Sequence, residues 1–458
     1  MSRKISGQIF FILVLFFLWI SFSRAQTTLD EADYEKLIKQ HQELFKINPY
    51  DPRLKSELSI LHHNYAMQLS EEGEWLKAID QEEAAYELAP EEEIVKTALA
   101  KLYNSYALEL KDLKRFRDAL SKLDRALEYA PDQPQIKKNI AAVYLNLAYN
   151  AFDNNEYENA DGFLRLAKEF NPEEAYIYVL SGEIAYKKDN YILAENEWKK
   201  SLELNPSLYE VKLRLEKLKQ EKDLEGSFNY QEIENFKLKF EGLEKMEMAD
   251  SAAQILRNAY RDVGQDLDVY PNNIVPVIIY PDSKLQQLDY FPDWASGVYD
   301  GKIRLGEHLG ENTLLMKAVL YHEYTHVLVR ILGHDNVPLW LNEGLAEYQA
   351  KQFIKPEHRK ERRKELLKAA RKGTIFSIEE LSNMDLSRLN QCSPYRLQMV
   401  YTQSESFVTY LIKRTSLYDL RTLLVYLGKG MNMYKAVKKA LYVDIEVLER
   451  DWKAELIK

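Results

Sequence analysis

Across residues 29–222 the apolar positions fall at helical spacing, and the pattern repeats. The segments GEWLKAIDQEEAAYELAP, KRFRDALSKLDRALEYAP, NEYENADGFLRLAKEFNP and DNYILAENEWKKSLELNP align without gaps. Each has an aromatic residue (Trp75, Phe116, Tyr157, Tyr191) and an alanine three positions on (Ala78, Ala119, Ala160, Ala194). Each then has a small residue (Ala85, Ala126, Ala167, Ser201) and a closing proline (Pro90, Pro131, Pro172, Pro206). The aromatic positions are 41, 41 and 34 residues apart. A surplus of seven residues is almost two helical turns, so a first helix lengthened by that much keeps its packing face within about 20°. Small residues ten places after each preceding proline (Ser59, Ala100, Ala141, Gly182) suit close approach of that first helix to its neighbour. The pattern predicts four helix pairs, one helix before them, and a polar capping helix near 207–222.

Residues 223–227, with Gly226, mark a boundary, and the period then changes. Residues 235–240 alternate as a half-buried strand does, 246–263 read as a helix, and 275–280 as a second strand. Residues 296–299 and 302–305 flank Asp300-Gly301, a hairpin signal. The remainder of the chain is predicted to be helical.

The candidate chemistry lies in one helix and the start of the next. In Ala318-Val-Leu-Tyr-His322-Glu323-Tyr-Thr-His326 the two histidines are four apart, so they stand on one helical face as two ligands of one ion must. Glu323 projects about 100° round from His322, placed to act on a water rather than to ligate. Imidazoles suit zinc, and a third protein ligand leaves one tetrahedral corner open for water. Glu343 is the best candidate for that ligand, 17 residues past His326 and beyond a turn marked by Gly333, Asp335, Asn336 and Pro338. Pro338 near the first position of a second helix puts Glu343 in its early turns. Glu347, one turn on, shares that face and is placed to hydrogen-bond a ligating histidine.

The aromatic, alanine and proline pattern resembles the second helix and closing turn of tetratricopeptide (TPR) repeats. HEYTHVLV followed by PLWLNEGLAEY resembles the gluzincin metallopeptidases, most closely the peptidase MA-like group. That resemblance implies that Glu343, the Glu of the NEG tripeptide, is the third zinc ligand. It also implies an edge strand that pairs with the substrate backbone, for which the strand near 302–306 is the candidate. It implies, too, a tyrosine some sixty residues past the third ligand that steadies the oxyanion, and Tyr401 lies 58 past Glu343. The Gly-x-Met-Glu-Asn motif that related aminopeptidases use to grip a free amino terminus is missing, which favours an endopeptidase. The expected fold is mainly α: a TPR α-solenoid, then an α+β gluzincin-type domain with a small N-terminal sheet and a helical C-terminal part. The expected division is a signal peptide at 1–25, repeats at 29–222 and the metallopeptidase domain at 227–458.

Composition adds the setting. Apolar residues make up 46% and charged residues 29% of the chain, enough to build a core. The net charge of −10 becomes −13 without Arg3, Lys4 and Arg24, which argues against nucleic-acid binding. Those cations, the twelve-residue apolar run 9–20 and Ser23-Arg24-Ala25 read as a secretory signal, so the expected location is periplasmic or extracellular, with an uncleaved anchor as the alternative. Cys392 is the only cysteine, which rules out an internal disulfide and suits a small buried apolar residue. The basic stretch 355–372 reads as a solvated helix face, and His308 and His334 as surface or loop residues. The expected activity is peptide-bond hydrolysis with one Zn2+ per chain, Glu323 and Tyr401 catalytic, and His322, His326 and Glu343 on the metal. The repeat groove would bind a protein substrate or partner, with no nucleic acid and no membrane span after signal cleavage. A non-catalytic TPR scaffold with a vestigial or structural zinc site is the alternative.

Overall fold

The computed structural model describes residues 30–288, 291, 292 and 295–458. The expected signal segment at 1–25 lies outside the described residues. The chain divides into two compact units, 1–146 with 169–172, and 147–168 with 173–458.

The first unit begins with α1 (Glu31–Ile47), then the pairs α2 (Pro52–Glu71) with α3 (Trp75–Leu88) and α4 (Glu93–Asp112) with α5 (Phe116–Tyr129). The pattern continues through α6 (Pro134–Asp153), α7 (Tyr157–Phe170), α8 (Ala175–Lys187) and α9 (Tyr191–Leu204). The first helix has 20 residues in α2, α4 and α6 but 13 in α8, so the surplus of seven sits where predicted. Each first helix ends on one residue of positive φ: Gly73, Lys114, Asn155 and Asp189. The next N–H then bonds back to the preceding helix, as in Asn190 N–H to the Ala185 carbonyl at 2.8 Å. Ala100, Ala141 and Ser59 are buried, and a Cβ on Gly182 would come within 2.3 Å of Trp198, so the small positions are set by close helix approach.

The second unit holds α8 and α9, the capping helix α10 (Tyr209–Glu225) and a five-stranded sheet. Its strands are β1 (Asn229–Ile233), β2 (Phe236–Phe240), β3 (Val275–Tyr280), β4 (Gly297–Tyr299) and β5 (Ile303–Gly306), in the order β1-β2-β3-β5-β4. Between them lie α11 (Met246–Leu267) and the short α12 (Asp282–Leu285). Strand β2 pairs parallel with β3, and β3 with β5, while β4 folds back antiparallel on β5. The predicted edge strand at 302–306 is therefore interior, and its hairpin partner β4 is the edge on that side, with β1 at the other. Local alternation identifies both arms of a hairpin but not which arm joins the parallel strands. Strand β1 escaped prediction because Asn-Tyr-Gln-Glu-Ile is mostly polar and mostly exposed.

After the sheet come α13 (Thr313–Gly333), α14 (Leu339–Ala350), α15 (Pro356–Arg371), α16 (Ile378–Ser382) and α17 (Leu386–Asn390). The long α18 (Pro394–Arg414), α19 (Leu417–Gly428), α20 (Met433–Leu441) and α21 (Ile445–Ile457) complete the chain. The chain is thus mainly helical, with TPR-like repeats ahead of a small sheet and a helical C-terminal part, as predicted. Among the described residues no helix is long and apolar enough to cross a membrane.

The two sheet faces are unlike. Phe236, Leu238, Phe240, Val277, Ile279, Ile303 and Leu305 form one core with α11 and α13. The opposite face carries Lys237, Lys239, Lys302 and Arg304, and acids of α10 and the α8–α9 turn meet it. Arg304, fully buried, donates to Glu221 at 2.7 Å and to the Tyr280 and Tyr186 hydroxyls, and lies 3.4 Å from Glu225. Lys302, also fully buried, donates to the Tyr191 hydroxyl at 2.8 Å and lies 3.5 Å from Asp189. Asp189, at positive φ, also pairs with Lys237 and Lys239 at 3.0 and 2.6 Å. Burial pulls the Lys302 ammonium down to about 8 despite Glu221 nearby.

Glu221 and Glu225 lie ahead of the predicted boundary at 227. Removing one member of such a group leaves the others charged and unpaired in a dry site. Glu221→Ala should lower stability by about 3–5 kcal/mol in urea unfolding. A chain beginning at 227 lacks Asp189, Glu221 and Glu225 together and should unfold at far lower denaturant than the intact protein.

Candidate metal centre

Helix α13 starts at Asn312, whose side chain caps the Leu315 N–H at 3.1 Å, and it runs unbroken to Gly333. Its apolar side joins the sheet core through Leu320, Tyr324, Val327 and Leu328. The chain turns through His334 at φ +52, and Pro338 caps α14 with extended backbone. Gly333 allows the turn, since a Cβ there would come within 2.1 Å of Val337. Glu343 thereby comes opposite the histidine face of α13.

Both imidazoles present Nε2 to one carboxylate oxygen. Glu343 Oε2 lies 3.3 Å from His322 Nε2 and 3.6 Å from His326 Nε2. These three groups form a cluster able to hold a metal ion, with all ligand atoms within 4.8 Å of one another. Glu343 Oε2 is buried and makes no hydrogen bond. A buried carboxylate oxygen 3.3 and 3.6 Å from two imidazole nitrogens is what a cation would satisfy, so the residues fit a metal.

The other ring nitrogens are held from behind. His326 Nδ1 lies 2.9 Å from Asn342 Oδ1, and His322 Nδ1 lies 3.6 Å from Glu347 Oε1. Such contacts select the tautomer that offers Nε2 to the ion. Arg362 of α15 donates to the other oxygen of Glu347 at 3.0 Å. The sequence placed Glu347 in this role but missed Asn342, whose only signal was its place beside Glu343. It also read Arg362 within a solvated basic face, whereas Arg362 turns into the site while Arg359, Lys360, Arg363 and Lys364 are exposed.

Glu323 is buried at 5% exposure and accepts the backbone N–H of Tyr299 in the edge strand β4. Gly297 makes this approach possible, since a Cβ there would come 2.6 Å from Val319 and 3.0 Å from Glu323 Oε1. Burial pushes the Glu323 carboxyl up to about 7, against the pull of His322 and with help from Glu343. Burial presses His322 down, but Glu343, Glu323 and Glu347 outweigh it and lift the imidazole to about 9. His326 is lowered by burial, and Glu343 is held low by the two imidazoles despite its burial.

Tyr401 reaches the site from α18, its ring centroid 6.3 Å from that of His322. Burial, then Glu343, Glu323 and Glu347, hold its hydroxyl well above the ordinary range, so it stays protonated. Gly344 brings α18 close, because a Cβ there would come 2.6 Å from the Ser404 carbonyl oxygen. Glu323, Tyr401, the three cluster residues and Glu347 all line one cleft of about 680 Å³, with β4 along it. Cys392 also lines that cleft and is half-buried. His308 is exposed and paired with Asp282 at 2.7 Å, and neither it nor His334 joins the cluster.

Two histidines a turn apart and a carboxylate from the next helix thus form a candidate three-residue metal site, with the carboxylate of Glu323 in the same cleft. Residues 255–458 match the model of the Peptidase MA superfamily, which spans the whole centre. No curated protein matches the chain. Among solved structures, the chain is similar to TTC0263, a thermophilic TPR protein of Thermus thermophilus, at 18% identity over 41% of this chain and 91% of that one, with a TM-score of 0.18. YrrB, described as a TPR protein with an unusual peptide-binding site, matches at 17% identity over 42% of this chain and 94% of its own, with a TM-score of 0.22.

The acids around His322 favour its protonated form in the metal-free protein, so an ion binding there competes with a proton. Zinc uptake at pH 7.5 should release about one proton, read by calorimetry in buffers of different ionisation enthalpy, and affinity should rise roughly tenfold per pH unit up to about 9. Asn342→Ala should weaken zinc about 10–100-fold.

Proposed function

We propose that the chain is an exported zinc-dependent peptidase, cutting within polypeptides, whose repeats bind the substrate or a partner protein. The observation that carries this reading is the unsatisfied Glu343 Oε2 facing both Nε2 atoms, with a buried, non-ligating carboxylate, Glu323, in the same cleft. The family match over 255–458 supports peptidase chemistry, and the charged start with its apolar run supports export. The missing Gly-x-Met-Glu-Asn motif supports internal cleavage.

His322, His326 and Glu343 would hold the ion, which supplies a Lewis acid for the scissile carbonyl and a nucleophilic water at neutral pH. Glu323, oriented by the Tyr299 N–H, takes the proton from the attacking water and returns it to the leaving amine. Burial raises its carboxyl toward neutrality, which suits a group that must both accept and donate. Tyr401, protonated, donates a hydrogen bond to the developing oxyanion. Asn342 and Glu347 keep the imidazoles aimed, and Arg362 offsets the charge of Glu347.

Glu323→Gln should retain about one zinc per chain and lose cleavage of unstructured polypeptides. Zinc without cleavage in the unaltered protein would favour the scaffold alternative. Tyr401→Phe should lower kcat by about 10²–10³ with KM little changed, measured with a quenched fluorescent peptide. The base must be ionised, so kcat/KM should rise with pH through the Glu323 titration. A nearby dication lowers that titration, which places the acid limb at or below about 7.

A further inference from the structure

A smaller cavity of about 110 Å³ adjoins the metal cleft and shares Tyr299, Arg330, His334 and Asp335 with it. It begins where β4 ends, at the residue whose N–H holds Glu323. Its far wall comes from helical-repeat elements of the same unit, Asn155 and Tyr157 at the α6–α7 turn and Lys187 at the end of α8. The volume is well below the roughly 300–1,000 Å³ of a site for a whole small ligand. It suits the tip of a side chain or the end of a chain whose remainder lies in the larger cleft.

The chemistry of this cavity is set by Lys187. Its Nζ lies over the β4–β5 hairpin, where a Cβ on Gly301 would come within 2.1 Å of it, and Gly301 is at φ +105. Among the described residues Lys187 has no hydrogen bond and no ion pair within 4 Å, although it is only partly exposed. The carboxylates that act on it from further off already have partners. Asp300 pairs with Lys217 at 2.6 Å and with Arg304, and Glu183 pairs with Arg214 at 2.8 Å. Arg330 is the second cation of the cavity, and its partner Asp335 is 77% exposed, on the solvent side. The remaining acid, Asp153, faces His334 and Asp335 rather than Lys187, and burial raises its carboxyl. Among the described residues one ammonium is therefore left without a counter-charge within ion-pair distance, in a recess that adjoins the cleft.

We propose that this recess is a subsite for a carboxylate carried by the bound polypeptide, with Lys187 as its counter-ion and Arg330 beside it. The carboxylate is an aspartate or glutamate side chain, or the chain's own terminus, held close to the scissile bond. The subsite rests on the peptidase reading of the cleft. Through it the repeat helices take part in selecting the substrate, although they carry none of the reacting groups.

The test uses zinc-loaded Glu323→Gln protein and fluorescence polarisation, so that binding is read without cleavage. Labelled peptides blocked at both ends carry a single glutamate at successive positions, with glutamine controls, and a further set ends in a free carboxylate or an amide. At one position, or at the free terminus, the anionic peptide should bind about tenfold tighter than its neutral control, as a charge-assisted hydrogen bond gives. Lys187→Met should abolish that preference while zinc content and binding of the neutral peptide stay unchanged, and Lys187→Arg should keep it. Equal binding of anionic and neutral peptides, or a preference that survives Lys187→Met, overturns the subsite. Failure of every peptide to bind overturns it as well. The peptidase reading is judged separately, by cleavage of an unfolded protein with the unaltered enzyme, which needs no anionic residue.

Discussion

The guanidinium of Arg304, dry and ringed by Glu221, Glu225, Asp300 and two tyrosine hydroxyls, fixes the part of the sheet on which the site depends. Successive residues of a strand face opposite ways, so a one-residue slip of β5 would drive Lys302 and Arg304 into the apolar core and bring Ile303 and Leu305 against the acids. The charges therefore specify register more than they add stability, since burying ion pairs costs most of what their attraction returns. With β5 fixed, β4 is fixed, and β4 supplies the N–H that orients Glu323.

Much of the centre was legible in the sequence because its geometry is local. Helical spacing alone puts His322 and His326 on one face, and a turn followed by a proline-capped helix returns Glu343 to them. The extra seven residues in three of the repeats could be assigned to a helix because helical periodicity tolerates that number. What was not legible depends on partners distant in sequence. Lys302 and Arg304 carry no sign that acids 79 to 83 residues earlier will bury them. Arg362 looks like its solvent-facing neighbours until α15 is laid beside α14. The edge of the sheet was misassigned for the same reason, because the order of strands is a property of their pairing and not of their pattern.

The charges around the metal position explain one another. Glu323, Glu343 and Glu347 surround two mostly buried imidazoles in the cleft, and Arg362 answers only Glu347. Without an ion, the excess of negative charge favours the protonated form of His322. The site is thus built for a cation whether or not a metal is present, and the proton serves as its placeholder.

The ligand set also bears on how the protein comes together. His322 and Glu343 are 21 residues apart, and the helix–turn–helix between them needs only a short loop to close. Closing so short a loop is among the fast events of folding, on the order of 10–100 ns for ten residues. Tyr401 arrives from 58 residues further on, through tertiary docking of α18 across Gly344. An emerging chain would accordingly bring the three candidate ligands together by local folding, ahead of the longer-range docking that adds Tyr401.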